Sequence, residues 1–328
     1  MAAASGMGRC RHVLRMPTTL NDLLQQAHTR LQGAALSYGH GTQNARDEAA
    51  WLLLWRLGLP LDTDLEAEGA RPVSDTEAAA VRELIERRIA TRQPAAYLTG
   101  EAWLHGMAFD ADARAIVPRS FIAELLVAHP AADCLDDWLG VHTQRVLDMC
   151  TGNGSLAVLA ALAWPEVTLD GSDISAPALQ LAQRNLERHG LQQRVRLLQS
   201  DGWSGIADRY DLILCNPPYV SRAAMQALPP EYRAEPALAL DGGHLGSADG
   251  MDFVRHLLAH ALEHLEPEGV LVLEIGHERA HFERAFPGLC VQWLRTSAWP
   301  LTPVLLLTHE ALDGWQAATP AACGGPPP

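Results

Sequence analysis

The sequence predicts a mixed α/β protein, in which a small helical domain and a β-hairpin connector precede a doubly wound, mostly parallel sheet. Two patterns predict this fold. Apolar residues recur at helical spacing through roughly the first 95 positions, which indicates packed helices. From residue 145 onward, strand-like runs alternate with helix-like segments, and this order is typical of a parallel sheet with helices on both faces.

We divide the 328 residues into five segments, and a chain of this length can bury a large core without disulfides or a metal. Residues 1–16 carry arginines but no apolar signal core, which favours a frayed start over an organelle-targeting segment. The segments are the frayed start at 1–16, a helical domain at 17–95, the hairpin connector at 96–120, the sheet domain at 121–312 and a disordered tail at 313–328.

The charged residues and cysteines narrow the possible functions. With 25 basic and 39 acidic side chains the net charge is −14, which argues against a protein that coats nucleic acid and favours steering towards basic partners. Every basic side chain is arginine, so lysine Schiff-base chemistry is excluded. The six cysteines have neither CxxC nor zinc-finger spacing, so we expect no metal, no disulfide framework and a cytoplasmic location. No apolar run is long enough to predict a membrane span.

The helical domain is predicted to contain three helices. In the third, Ser74 and Glu77 form a capping box, and Pro94 ends the segment. Trp51 and Trp55 belong to the second helix, where we expect both in the core rather than on a recognition surface. The first helix has one apolar stripe, formed by Leu20, Leu23, Leu24, Ala27 and Leu31.

The connector and the sheet are predicted from apolar runs separated by glycines and turns. Gly100 and Gly106 interrupt the short apolar pieces of the connector, as in a β-hairpin. Helices are predicted at 175–190 and near 252–265, between strands of the sheet. The predicted strands lie at 145–150, 167–173, 194–201, 210–215 and 269–275, and near 289–294 and 303–308.

A glycine loop follows the first strand of the sheet, at residues 148–157 (DMCTGNGSLA). Glycine permits the sharp turn and lets a ligand approach the backbone. The sequence of this loop also fits G-x-G-x-x-A, so it is compatible with a nicotinamide dinucleotide site as well as with an S-adenosylmethionine site. Asp173 is suited to bind the ribose hydroxyls in either kind of site. Asp148, which stands before the glycines as in S-adenosylmethionine sites, and Thr151 favour the second.

The sequence Asn216-Pro-Pro-Tyr219 directly follows the apolar run of the fourth strand and is the most specific motif of the chain. Two prolines cannot extend a strand, so the turn is rigid. Open parallel sheets bind ligands at the carboxyl ends of their strands, where this turn lies. The Asn216 side-chain oxygen and the Pro217 carbonyl can together accept the two N–H bonds of a substrate amino group, and Tyr219 can stack on a planar group.

With these motifs the chain resembles the class I S-adenosylmethionine-dependent methyltransferases that act on planar amino groups. NPPY occurs in the adenine-N6 DNA methyltransferases and in the protein-(glutamine-N5) methyltransferases. The helical domain, the string RQPAAYLTG at 92–100, Val117-Pro-Arg119 and Glu235-Pro-Ala-Leu are similar to the glutamine methyltransferases, and this resemblance spans nearly the whole chain.

Within that family the chain looks like the branch that modifies ribosomal protein L3. The resemblance lies in Tyr38-Gly-His-Gly-Thr42, Ala102-Trp103 and Ser120 after Pro-Arg, where the release-factor branch has Pro-Asp-Thr-Glu. Asn153 and Ser155 in the glycine loop depart from the usual pattern of small residues in this branch. Residues 295–303 depart as well, which affects substrate detail more than chemistry.

The resemblance implies an enzyme that uses S-adenosylmethionine to methylate the N5 side-chain amide of a glutamine. Asn216, Pro217 and Tyr219 would be catalytic, and Pro218, Arg119 and Glu235 would also contact the substrate. A surface ion pair or a domain-interface contact is an equal alternative for Arg119 and Glu235, and a loop-anchoring position is a nearly equal one for Trp203. The residues implied to bind the cofactor are Asp148, Thr151, Gly152, Asn153, Gly154, Ser155, Asp173, Ile174, Asp201, Gly202, Trp203 and Asn216.

The preferred substrate is ribosomal protein L3, a basic protein suited to an acidic enzyme. Glutamine methylation of a peptide chain release factor is the nearest alternative. An adenine-N6 nucleic-acid methyltransferase is a second, but it would carry a basic surface and a target-recognition region, and neither is visible. A non-enzymatic cofactor-binding or ribosome-assembly protein is a third, and it would have no reason to keep the NPPY motif. We therefore expect neither direct nucleic-acid binding nor membrane attachment.

Overall fold

A computed structural model of the protein describes residues 18–140 and 143–318. The predicted frayed start lies outside these residues. Two compact units are present: one contains residues 18–36 and 44–91, and the other contains residues 37–43 and 92–318. The second unit thus takes two short segments, 37–43 and 92–95, that the sequence had assigned to the helical domain.

Three helices form the first unit: α1 (Leu20–Gln32), α2 (Ala45–Leu57) and α3 (Asp75–Thr91). The predicted capping box of α3 is confirmed, since the Glu77 amide donates to Ser74 Oγ at 3.3 Å and the Ser74 amide donates to the Glu77 carboxylate at 3.0 Å. The apolar stripe of α1 is buried, as predicted. Trp51 is also buried, but Trp55 is 37% exposed, so the prediction of a core position is wrong for Trp55.

A buried ion pair joins α2 to α3. Arg88 is 1% exposed, and its Nε donates a 2.8 Å hydrogen bond to the buried carboxylate of Glu48. Apolar periodicity identifies core positions only where they are apolar, so the sequence did not predict charges inside this unit.

The connector contains a short helix, α4 (Ala95–Thr99), and the predicted hairpin. Its antiparallel strands are β1 (Glu101–Leu104) and β2 (Met107–Asp110), and Gly106 turns between them with a φ of 79°. The hairpin is therefore confirmed. Residues 111–120, which belong to the same predicted segment, form no strand.

The strands of the main sheet are β3 (Arg145–Met149), β4 (Thr168–Asp173), β5 (Val195–Gln199), β6 (Tyr210–Cys215), β7 (Leu265–Glu274), β8 (Gln292–Leu294) and β9 (Val304–Thr308). In the described part of the chain they pair in the order β5-β4-β3-β6-β7-β9-β8. β3 to β7 pair in parallel and β9 is antiparallel to both neighbours, so the predicted mostly parallel sheet is confirmed. The chain leaves β3 towards β5 and then returns to β6 on the other side, and this reversal opens a crevice.

The remaining helices are α5 (Ile122–Leu126), α6 (Ser155–Ala163), α7 (Ala176–Arg188), α8 (Arg222–Ala227), α9 (Pro230–Arg233), α10 (Asp252–His264), α11 (Arg279–Ala285) and α12 (His309–Ala318). They cover both faces of the sheet. Val146 and Leu147 are neighbours in β3, yet Val146 packs in the core that contains α6 and Leu147 packs in the core that contains α10. Alternating side chains of a buried strand thus serve two cores.

The C-terminal region differs from the prediction. Residues 313–318 were assigned to a disordered tail, but they continue α12, and Leu312 of that helix is fully buried in the core beside β7. The Pro- and Gly-rich composition on which the prediction rested begins only after this helix. Residues 319–328 lie outside the described residues.

Replacing Glu48 by alanine should lower the free energy of unfolding by about 3 to 5 kcal/mol, because arginine stays charged and Arg88 would lose a buried carboxylate partner. Glu86→Ala is the matched control, since Glu86 pairs with Arg30 on the solvent-exposed surface of the same unit. Solvent screens such a pair, so its loss should matter far less. Urea unfolding followed by circular dichroism measures both variants, and equal losses would contradict this account.

Candidate active site

A cavity of about 220 Å³ lies at the carboxyl ends of β3, β4, β5 and β6. This is the crevice at which the strand order reverses, the usual ligand-binding position of an open parallel sheet. The sequence-predicted site residues that line it are Gly152, Asp173, Ile174, Asp201, Gly202, Asn216 and Pro218.

The glycine loop turns sharply between β3 and α6. Cys150, Gly152 and Gly154 have positive φ angles of 62°, 57° and 80°. A Cβ atom on Gly154 would lie 3.0 Å from the Cβ of Ala182 in α7, so only glycine permits this approach of loop and helix. The Gly152 amide donates a 2.9 Å hydrogen bond to the Asp173 carboxylate, which fixes the loop to the end of β4.

The side chain of Asp148 fixes the glycine loop through hydrogen bonds. It is fully buried, and its Oδ2 accepts hydrogen bonds from the Thr151 hydroxyl at 2.5 Å and from the Ala157 amide at 3.0 Å. Its Oδ1 has no partner among the described residues. Burial raises the pKa of Asp148 to about 7, although both hydrogen bonds act in the opposite direction. The loop therefore depends on a carboxyl group that is costly to ionise.

Three further side chains of the predicted cofactor loop shape it and do not line the cavity. Thr151, Asn153 and Ser155 are buried, and Asn153 Oδ1 accepts a 3.3 Å hydrogen bond from the Ser155 amide. Asn185 of α7 donates to the Asn153 carbonyl at 2.8 Å and bonds to both backbone groups of Asp110 at the end of the hairpin. The sequence analysis missed Asn185, although a polar residue on the apolar stripe of a helix is a signal of such a role.

The ends of β4 and β5 contribute two carboxylates to the cavity. Asp173 accepts amide hydrogen bonds from Gly152 at 2.9 Å and from Ser175 at 2.8 Å, and burial raises its pKa. Asp201 is exposed at the cavity wall, next to Gly202. Both carboxylates therefore retain lone pairs that can accept hydrogen bonds from a ligand.

Trp203 lies apart from this cavity. Its Nε1 donates to the Leu257 carbonyl at 3.2 Å, and its ring stacks on His264 of α10 with the ring centroids 4.3 Å apart. These two contacts agree with the loop-anchoring alternative for Trp203. The sequence could not decide between these alternatives, because it does not show in which direction an aromatic side chain in a loop points.

The NPPY turn follows β6, the strand that pairs directly with β3, which the glycine loop follows. Asn216 and Pro218 line the cavity, Pro217 is buried and Tyr219 is partly buried. The residues of β6 from 212 to 215 are fully buried, so the turn starts from a rigid strand. The structure thus brings the Asn216 side chain and the cofactor-loop glycine Gly152 to a common cavity.

Arg119 and Glu235 bind each other and do not line the cavity. The Arg119 guanidinium donates hydrogen bonds of 2.6 and 2.7 Å to the two Glu235 oxygens, and the Val117 amide donates a third at 2.9 Å. Burial acts to raise the pKa of Glu235, but hydrogen bonds to His40 and Arg119 lower it to about 2. His40 is 2% exposed and its ring packs on Tyr232, with centroids 4.2 Å apart. The ion-pair alternative is therefore present for both residues.

The cavity also has walls that the sequence analysis did not identify. Part of the connector passes over it, where the Tyr97 hydroxyl donates a 2.6 Å hydrogen bond to the Ala115 carbonyl. Apolar connector residues carry no chemical motif, so only the fold reveals their position. The additional lining residues include Arg114, Ala115, Ile116, His244, Leu245 and Phe253.

The described residues contain neither a candidate metal site nor a candidate membrane-spanning helix. No cluster of three or more His, Cys, Asp or Glu side chains in residues 18–140 and 143–318 has the geometry to hold a metal ion. Among the helices of the same residues, none combines the length and the apolar character that crossing a membrane requires.

Two family models match the chain. The PrmC N-terminal domain matches residues 22–100, and the methyltransferase small domain matches residues 124–229. The second match contains the glycine loop and the NPPY turn.

Curated relatives match nearly the whole chain, and each is named ribosomal protein uL3 glutamine methyltransferase. The protein from Bordetella pertussis is 52% identical over 90% of this chain and 96% of its own length. The proteins from Burkholderia pseudomallei (48% identical, 85% and 91% covered) and Neisseria meningitidis serogroup B (44% identical, 90% and 95% covered) are also similar.

Solved structures are more distant. A methyltransferase from Pyrococcus furiosus has a TM-score of 0.43 at 18% identity, covering 63% of this chain and 90% of its own. A ribosomal protein L11 methylase from Lactobacillus delbrueckii subsp. bulgaricus has a TM-score of 0.36 at 18% identity, covering 52% and 71%. These scores are low, and neither likeness bears on the function of this chain.

The buried Asp148 carboxyl should make the protein less stable as the pH rises from about 4 to about 7. Its pKa is higher in the folded chain than in the unfolded chain, so its contribution is fully present below the unfolded value and is lost as the pH passes the folded value. Asp148→Asn should remove a slope worth a few kcal/mol over this range. Urea unfolding at several pH values measures it, and Asp62→Asn, at an exposed position, should keep the wild-type slope.

Proposed function

The chain belongs to the family of ribosomal protein uL3 glutamine methyltransferases, and we propose that it transfers a methyl group from S-adenosylmethionine to the N5 side-chain amide of a glutamine in ribosomal protein uL3. The observation that carries this proposal is the position of Asn216-Pro-Pro-Tyr219 beside the same cavity as the glycine loop. An acceptor pair for an amino group and a candidate donor pocket therefore adjoin each other.

The residues around the cavity fit the proposed donor. S-adenosylmethionine supplies an electrophilic methyl group on a sulfonium centre. Asp173 suits the ribose hydroxyls and Asp201 suits the exocyclic amine of adenine, because both line the cavity and keep acceptor lone pairs. Ile174 and Phe253 offer apolar surface for the base. The unpaired Oδ1 of Asp148 supports a role in fixing the loop near the amino group of the donor.

Asn216 and Pro217 orient the substrate amide. An amide nitrogen is a poor nucleophile, because its lone pair is delocalised into the carbonyl group. The Asn216 side-chain oxygen and the Pro217 carbonyl can accept its two N–H bonds and aim the nitrogen at the methyl group, so catalysis acts through positioning and electrostatics. The aromatic face of Tyr219 tolerates the positive charge that develops there. No strong base is required, because the methylated, protonated amide is very acidic.

The remaining parts of the chain suit a basic protein substrate in the cytoplasm. We assign substrate recognition to the helical unit, whose residues from 22 onward fall within the match to the PrmC N-terminal domain. A net charge of −14 steers the enzyme towards ribosomal proteins, which are generally basic. The partly exposed Arg119 can reach the substrate entrance, and we assign Glu235 to holding it there.

A methyl-transfer assay tests the substrate. The purified protein is incubated with tritiated S-adenosylmethionine and, separately, with uL3, a peptide chain release factor or duplex DNA. Label should enter uL3, and mass spectrometry should locate it on a glutamine side chain. Label that enters the release factor or DNA while uL3 stays unlabelled would overturn the proposal in favour of the corresponding alternative.

Asn216→Ala should lower kcat at least about 100-fold, because the substrate nitrogen loses one of its two acceptors. The dissociation constant for S-adenosylmethionine, measured by calorimetry, should change less than about threefold, since the other walls of the donor cavity are untouched. Gln292→Ala, at an exposed position on β8 in the other unit, is the control and should keep wild-type kcat. Wild-type turnover in Asn216→Ala would remove the proposed role of this side chain.

A further inference from the structure

The ring of Tyr219 is packed against backbone that leaves no space for a side chain at Gly276. Gly276 follows β7 with a φ of 54°, and a Cβ atom there would lie 2.7 Å from Tyr219 Cε2 and 2.9 Å from the Tyr219 hydroxyl oxygen. Distances below 3 Å require one of the groups to move. The chain at Gly276 therefore fixes one edge of the ring.

The backbone of Tyr219 is enclosed on another side by the loop that precedes α10. A Cβ atom on Gly242 would lie 2.7 Å from Tyr219 Cα, and one on Gly250 would lie 2.4 Å from the Tyr219 carbonyl oxygen. Two backbone hydrogen bonds join Val220 to this loop, at 2.9 Å to the Leu240 carbonyl and at 3.1 Å from the Gly242 amide. The NPPY turn is therefore held on its main chain as well as on its ring.

A buried carboxyl group lies on the same side as Gly276. Glu274, the last residue of β7, is 3% exposed, and its Oε2 accepts hydrogen bonds from the Ser120 hydroxyl at 2.6 Å and the Phe121 amide at 2.9 Å. Burial raises the pKa of Tyr219, and the negative charge of Glu274 raises that pKa further. One carboxyl group therefore faces both the NPPY tyrosine and the segment that follows Arg119.

We infer that Glu274 and Gly276 are positioning residues for methyl transfer: Glu274 fixes the Ser120 segment that follows Arg119, and Gly276 leaves the space that the Tyr219 ring occupies. This inference rests on the proposed function. Neither residue lines the donor cavity. Gly276 acts through Tyr219 and Glu274 acts through the Ser120 segment, so they govern the rate of transfer and not the binding of S-adenosylmethionine.

Gly276→Ala tests the packing. Gly288→Ala is the matched control, because Gly288 also has a positive φ, of 77°, but a Cβ atom there meets nothing within 4 Å. We expect kcat of Gly276→Ala to fall at least about tenfold, with the dissociation constant of S-adenosylmethionine within about twofold of wild type. Gly288→Ala should keep wild-type kcat. Equal kcat values in the two variants would overturn the inference.

Glu274→Gln tests the carboxyl group and does not depend on Gly276→Ala folding. Glutamine keeps the size of the side chain but carries no charge, so it accepts the hydrogen bonds from Ser120 and Phe121 more weakly. We expect kcat to fall at least about fivefold with unchanged donor binding. Glu268→Gln, at an exposed position on the same strand, should behave as wild type. A Glu274→Gln enzyme with wild-type kcat would contradict the role of this carboxyl.

A crystal structure of Gly276→Ala separates failure of this inference from failure of the proposed function. The Tyr219 ring should be displaced relative to the wild-type crystal structure, and this readout needs no substrate. A displaced ring in a protein that does not methylate uL3 would support the packing role while rejecting the substrate. An undisplaced ring would overturn the packing role whatever the substrate is.

Discussion

Carboxyl groups at or near the ends of strands, of which Asp148 and Glu274 are buried, are the constraint on which the site depends. Asp148 lies near the end of β3, Asp173 ends β4 and Glu274 ends β7, and each accepts a hydrogen bond from a backbone amide of a nearby loop or of the first turn of a helix. The amides of a sharp turn have no partner in the sheet, and an unpaired buried amide costs free energy. The carboxyl groups supply the missing acceptors, so the loops around the cavity keep one conformation.

Burying these carboxyl groups lowers the stability of the fold, but it fixes the conformation of the loops around the cavity. Burial disfavours the ionised form of a carboxyl group, and it raises the pKa of Asp148 and of Glu274 to about 7. As a result, the loops around the cavity already have their final conformation before the substrate binds. Methyl transfer to an amide benefits from this, because the proposed mechanism uses no strong base and relies on the placement of the nitrogen. The carboxyl groups whose burial costs the most free energy thus support the loops whose backbone conformation matters most for the reaction.

The sequence predicted the parts of the site that have a chemical signature. The alternation of strands and helices, the glycine loop and the NPPY turn all depend on local residue types, and the structure has a loop or turn at each predicted strand end. It could not predict that Trp203 turns towards His264 or that Glu48 pairs with Arg88, because those contacts join residues far apart in the chain. Residues 313–318 were misassigned since the disordered composition begins only a few positions later.

The charges of the site fall into two groups that respond differently to pH. The Arg119–Glu235 pair stays ionised through the neutral range, because arginine does not lose its proton there and the pKa of Glu235 is lowered to about 2. The carboxyls of Asp148 and Glu274 change their charge near pH 7. The chain has no lysine that could add a third type of response. A change of pH near neutrality therefore acts on the supports of the glycine loop and Tyr219, while the ion pair of Arg119 is unaffected.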